Sequence, residues 1–448
     1  MASPRPLSGE DFSEHRDGAL PKSVVYKRGC SHFSTALLEP MQDDEDITFD
    51  AEDDAEDDVA PWLRHPDQKR RTERLTTVHE RVMHTRSTGE SALKMTEYVS
   101  SIDCGAGTIP TSIVMHPLES RVLTGDSKGQ VHVWDSTNSR VINKFHTELR
   151  GVSAISLVNE TDDAMLLTGA PDGHVKIWRD YDAPNEHKLV TAWCALPTQS
   201  IHRDAMTSAT PVGFYKPSTH YRTQQENAKA IIVWQQLTGC LYATGHVGPS
   251  PLLRVWDMTS ELCRENMHMQ SQGTCLTAEG ALLMAGTADG AVLSYDLRSP
   301  ARLLSAIQSH TQPVISILLQ PGGISNLLIT GCSDGKMKFC DLRNTSKPFL
   351  TTEVGVSKPA PSGTMRAPAL TALVGHSCAG VIASGSSERA IKLWDMRGSN
   401  IATIQYTNSF LGQRIGAVTA LAFHPNSTYL AAGSSAGQST IYGSERRL

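Results

Sequence analysis

A chain of 448 residues with 39% hydrophobic content has room for one large domain with polar segments beside it. No window approaches eighteen consecutive apolar residues, which argues against a membrane-crossing helix, and a formal net charge of −6 favours neither nucleic acid nor a membrane surface. Nine scattered cysteines without a CxxC argue for reduced thiols rather than a disulfide framework or a zinc site, and the polar N-terminus lacks a signal-peptide core, so the composition points to a soluble, cytoplasmic protein.

Residues 1–60 read as a largely disordered acidic tail. Within it, 41–58 hold eleven carboxylates and no base, and this run alone sets the sign of the net charge. An apolar stretch, "VVYKRGCSHFSTALLEPM" (24–41), could dock on a partner or on the folded domain. Residues 61–92 form a linker with one short helix at about 67–86. Leu75, Val78, Val82 and Met83 share one helical face, Arg70, Arg71, Arg74 and Arg81 fall mostly elsewhere, and Asp67 suits the N-terminal dipole. This predicts a solvated helix packed at the domain's flank. The histidines of "HERVMH" (79–84) are five apart, off the i, i+4 spacing of a zinc-binding helix, so no metal site is predicted there.

From residue 93 a single pattern takes over. "VLTGDSKGQVHVWD" (122–135), "LLTGAPDGHVKIWR" (166–179), "LYATGHVGPSPLLRVWD" (241–257), "LMAGTADGAVLSYD" (283–296), "LITGCSDGKMKFCD" (328–341), "IASGSSERAIKLWD" (382–395) and "LAAGSSAGQSTIYG" (430–443) each run strand, Gly-centred turn, strand. A period of about 40–50 residues with a Trp-Asp ending is that of a propeller blade. Apolar strands such as "TSIVMHP" (111–117), "PVISILLQP" (313–321) and "AVTALAFHP" (417–425) precede the units and exit through proline. The prediction is an all-β fold, a seven-bladed WD-repeat β-propeller over 93–448, with blades at about 111–146, 151–196, 229–269, 273–310, 313–354, 369–406 and 417–448. The last blade lacks a fourth strand, and an open edge is costly. Residues 93–101 are expected to supply it by pairing with 438–443.

Three of the turns match Gly-x-Ser-x-Gly, the nucleophile elbow of α/β hydrolases, and would nominate Ser127, Ser333 and Ser435. Pro171 and Ala288 occupy the same place in sister repeats, and alternating strand residues follow where an elbow needs a helix. The glycines are therefore read as turn formers with positive φ, and neither a catalytic residue nor a cofactor site is predicted. The turn aspartates Asp172, Asp289 and Asp334 are read as structural ties. His310 is expected to pair with Asp334, and His146 with Asp172. Two inserts, 197–228 and 351–368, are read as mobile loops.

The wording of the last repeat is more specific than its class. "NSFLGQRIGAVTALAFHPNSTYLAAGSSAGQSTIY" (408–442) resembles the final blade of the raptor family, scaffold subunits of target-of-rapamycin complex 1. "FHTELRGVSAISLVNETDDAMLLTGAPDGHVKIWRDYDAPNEHKLVTAWCAL" (145–196) is similar to a second block, and "GCSHFSTALLEPM" (29–41) more faintly to the preceding linker. The resemblance covers linker and propeller only; the caspase-like domain and helical repeats of the family are not in these residues. It implies a non-catalytic scaffold that joins the subunits of that kinase complex in nutrient-responsive signalling, in the cytoplasm and through the complex at the lysosomal surface. It implies neither nucleic-acid binding nor membrane insertion. Phe410, Leu411, Gln413 and Arg414 are the first candidates for partner contact, against an equal claim that they tie the last blade to the first. The alternative is a generic WD-repeat adaptor such as a substrate receptor of a ubiquitin ligase, which would use Asp-x-Arg tripeptides such as "DLRS" (296–299), "DLRN" (341–344) and "DMRG" (395–398), with Arg298 and Arg343.

Overall fold

The computed structural model describes residues 66–87, 93–196, 230–245, 251–299, 301–344, 347–355, 358–359, 365–366, 369–405 and 416–444. Seven four-stranded antiparallel sheets account for nearly all of them. Blade one shows the plan, with strands Pro110–Met115, Arg121–Asp126, Gln130–Asp135 and Arg140–His146 in simple meander order. The first strands of successive blades touch one another around a closed circuit, so they line the axis and the fourth strands form the rim. Burial follows that order. The second strands are almost wholly buried, whereas the rim strand Leu262–His268 alternates between exposed and half-buried residues, as expected for an edge with one wet face.

Seven hydrophobic clusters hold the ring, and each lies between two neighbouring blades. Blades one and two share Leu123, Val131, Ile155 and Leu157; blades six and seven share Val381, Leu393, Val418 and Leu430. A propeller sheet buries both faces against its neighbours, so no blade owns its core. Bulges recur at fixed places. The register slips at the start of the inner strand in blades one, four, five, six and seven, as between Val314 and Ser316. It slips again just before the aromatic residue of the third strand, as between Val133 and Trp134. Each slip adds local twist, which a blade needs to fan outward.

The last sheet is composite. Glu97–Asp103 pairs antiparallel with Gln438–Gly443, from Glu97 opposite Gly443 to Asp103 opposite Gln438. The closing strand thus reaches two residues beyond the predicted stretch. Just before it, Met95 is fully buried between blades six and seven.

The two turn glycines do different jobs, which corrects the single role assigned from sequence. Gly335 has φ +84°, the conformation a tight reversal needs. Gly331 has no such φ. A Cβ there would come within 2.6 Å of Leu370 and 2.8 Å of Leu373 of the next blade, so its hydrogen side chain is what lets blades five and six approach.

The helix, Pro66–Ser87, also departs from expectation. It lies on the loops that join first and second strands, not on the flank. Arg74 Nη1 donates to the Asp162 carbonyl of blade two at 2.8 Å, Arg81 Nη1 to the Pro117 and Leu118 carbonyls of blade one at 2.9 and 3.1 Å, and Thr85 to the Asn426 carbonyl of blade seven at 3.0 Å. Val82 and Thr85 are buried, while Met83, assigned to the apolar face, is 51% exposed. The docked face carries arginines because the surface beneath it presents loop carbonyls, which need donors.

Candidate functional site

The hairpin turns sit on the opposite loop face and are built from structural bonds. Ser333 donates its amide to Pro313, Ser127 to Ile109 and Ser435 to Ala417, each reaching the segment that leads into its own blade. After Ser333 the chain enters the strand Lys336–Asp341, so the three serines occupy hairpins and not elbows.

Beneath the turns of blades one, two and six lies a second layer that the sequence reading missed. Trp134 Nε1 donates to the Thr124 hydroxyl, Trp178 to Thr168 and Trp394 to Ser384, at 3.4, 3.0 and 2.8 Å. A Thr or Ser ten residues before the strand Trp would have signalled these pairs. Blade one also holds a buried His–Asp hydrogen bond, His132 Nε2 to Asp126 Oδ2 at 3.1 Å. Burial would raise the Asp126 pKa, but the His132 bond and the amides of Gln130 and Lys128 more than offset it and hold the carboxyl below its usual range. No hydroxyl or thiol is bonded to His132 among the described residues, so the pair lacks the nucleophile of a catalytic dyad.

The predicted ties are rearranged. His146 is on the exposed side of its strand, where Nε2 meets the Lys128 carbonyl at 2.9 Å. Its neighbour Thr147 fills the inward slot, donating its amide to Gly129. Alternation along the strand therefore turns His146 away from Asp172, which instead faces His174 at 3.1 Å. His310 does fill that slot, with its amide on Gly290, but its Nε2 bonds the Thr330 hydroxyl at 2.8 Å. Asp334 comes within 4.8 Å, close without a hydrogen bond. Blade five has Cys340 where blades one, two and six have the Trp that bonds this hydroxyl, so Thr330 takes the histidine instead. Asp289 is bonded by the Thr287 hydroxyl, which holds its carboxyl below the usual range.

The helix-covered face carries three histidines at matching places. His116, His376 and His424 end the inner strands of blades one, six and seven. The Nδ1 of each accepts backbone amides of the following turn: Leu118 and Glu119, Cys378 and Ala379, and Asn426. Such a ring must be neutral, and burial lowers all three pKa values, His424 to about 4 with Arg81 adding to the effect. Along the axis, the first strands of blades one, five, six and seven line an open pocket of about 210 Å3, bounded in part by Thr111, Ser316, Thr371 and Leu421.

Phe410, Leu411, Gln413 and Arg414 lie outside the described residues, as does the insert 197–228. Of 351–368, Lys358–Pro359 pairs with Met365–Arg366 in a short ribbon. The Asp-x-Arg arginines turn back on their own aspartates, Arg343 to Asp341 at 2.8 Å and Arg298 to Asp296 at 3.3 Å, which does not favour the ligase-receptor reading.

Comparison with known proteins accords with this architecture. A WD domain, G-beta repeat, matches residues 405–441. The chain is 30% identical over 447 residues to Regulatory-associated protein of TOR 1 of Arabidopsis thaliana, covering 98% of this chain and 29% of that protein. It is 32% identical over 338 residues to Target of rapamycin complex 1 subunit mip1 of Schizosaccharomyces pombe, covering 72% and 22%. The chain thus spans less than a third of the length of these relatives. The crystal structure of Chaetomium thermophilum Raptor superposes with a TM-score of 0.65 at 22% identity, covering 86% of this chain and 32% of that one, which speaks for the fold alone. The chain belongs to the raptor family and corresponds to the C-terminal, propeller-bearing part of its members.

Proposed function

We propose that this chain is a non-catalytic scaffold, the propeller part of a raptor-like subunit of target-of-rapamycin complex 1, acting in nutrient-responsive growth signalling. The observation that carries this reading is similarity along 98% of the chain to a regulatory-associated protein of TOR. The geometry supports it: among the described residues, His116, His376 and His424 on one loop face and the turn aspartates Asp126, Asp289 and Asp334 on the other are engaged in holding turns, which suits a rigid platform. The kinase of that complex and its small propeller partner are the expected partners. The cytoplasm, with recruitment to the lysosomal surface through the complex, is the expected location. Gln413 and Arg414 are the contact residues to test first.

Purification of the tagged chain from native lysate tests the proposal. Recovery of the kinase and its small propeller partner is expected, with recovery reduced by Arg414→Ala. An intact, folded chain that brings down neither overturns it.

A further inference from the structure

We propose that His310, Cys332 and Asp334 form a binding site for a transition-metal ion, with donors that suit zinc. The three residues come from the entry to blade five and from its hairpin turn. One ring nitrogen, the thiol sulfur and one carboxylate oxygen all lie within 4.8 Å of one another. Nitrogen, thiolate and carboxylate are each established zinc donors, and three protein ligands with one open position is a common zinc arrangement. Donor atoms around a tetrahedral zinc stand about 3.5 Å apart, so no separation in the cluster needs to contract by more than about 1.3 Å.

Each ligand is already positioned. Thr330 holds His310 Nε2 at 2.8 Å, which leaves Nδ1 as the nitrogen for the metal and supplies the outer hydrogen bond that zinc-bound histidines use. The Cys332 thiol points at the Gln312 carbonyl at 3.4 Å, and an oxygen of Asp334 accepts the Lys336 amide at 3.0 Å. Cys332 and His310 are buried, while Asp334 is half-buried and gives the ion a way in. On binding, the sulfur–hydrogen bond breaks, the sulfur–metal bond forms, and the proton passes to water. Thiolate and carboxylate then balance the dication, so the neighbouring Lys336 and Lys338 meet no excess positive charge.

The set occurs at one place among the described blades. The slot of His310, defined by its amide bond to the preceding turn glycine, holds Cys104, Thr147, Ala195 and Val354 elsewhere. The slot of Cys332 holds Asp126, Ala170, Thr287, Ser386 and Ser434. His310 and Asp334 lie within 4.8 Å of each other without a direct hydrogen bond, and a thiol forms the third corner.

The test uses the full chain, stripped of metal by a chelator and titrated with Co2+. One equivalent should produce a near-ultraviolet sulfur-to-cobalt charge-transfer band with the visible bands of four-coordinate cobalt, and Zn2+ should displace it. Cys332→Ser should abolish the charge-transfer band with circular dichroism unchanged, since serine is native to the same slot in blades six and seven. Asp334→Asn, on the half-exposed turn, should weaken Co2+ binding by about tenfold or more. No charge-transfer band in the unsubstituted chain, or an unchanged band in Cys332→Ser, overturns the site. Should Cys332→Ser fail to fold, Asp334→Asn decides: unaltered Co2+ affinity there overturns it equally.

Discussion

Single residues in this ring act mainly through the bonds they make inside turns, and pH exposes that. His310, fixed by Thr330, has its pKa lowered to about 4 by burial and by Lys338, and His424 is lowered to about 4 by burial and Arg81. The folded chain holds both rings neutral, whereas the unfolded chain takes up protons near the ordinary value of 6.5. Stability is therefore full above pH 6.5, falls as the pH drops towards 4, and levels below that. His424→Asn keeps an acceptor for the Asn426 amide and cannot be charged. It should recover about 2 kcal/mol relative to the unsubstituted chain when urea unfolding at pH 5 is compared with pH 7.5. Equal pH dependence in the two proteins would refute the assignment. A second residue is strained by its backbone alone. Arg389 is exposed, stands where blades one, two, four, five and seven have glycine, and has φ +65°. Arg389→Gly should raise stability by about 0.5–1 kcal/mol in denaturant titrations.

At the scale of elements, the helix on the loop face makes a sharper prediction than its sequence allowed. Arg81 is half-buried with a guanidinium nitrogen on two carbonyls of one loop. Arg81→Ala should cost about 1–3 kcal/mol of docking and speed amide exchange in 66–87 without changing exchange in the inner strands. Arg70→Ala, at an exposed position of the same helix, should do neither. The hairpins, the seven repeats and the closing strand were legible because a Gly turn between alternating strands is a local pattern, and "GTADG" and "GAPDG" beside "GCSDG" disclose its cause. What escaped was set across the ring. Nothing near Arg74 announces a carbonyl of Asp162, eighty-eight residues on. His116 and His424 were visible in "MHP" and "FHP", yet their proline neighbours drew the reading and the turn-capping imidazoles did not. His310 bonds Thr330 and approaches Asp334 without bonding it, because position 340 is Cys and no Trp engages the Thr330 hydroxyl.

For the whole molecule, stability should be a property of the closed circuit. Every core cluster belongs to two blades, so losing one interface exposes apolar faces on both sides and weakens the next. Closure depends on a segment that reaches the ring from the opposite end of the sequence. Met95 is fully buried against Val381, Leu393, Leu430 and Tyr442, and the strand after it covers the edge of Gln438–Gly443. Met95→Ala should therefore destabilise the propeller by about 2–4 kcal/mol, and Met95→Leu by less than about 1.5. The shape of the transition matters as much as its position. If the ring is one cooperative unit, tryptophan fluorescence from blades one, two, three and six and far-ultraviolet circular dichroism should shift together to lower urea in Met95→Ala. An earlier transition seen by one probe alone would mean that blade seven opens while the rest persists, and that the closing strand is a latch on a stable six-bladed arc.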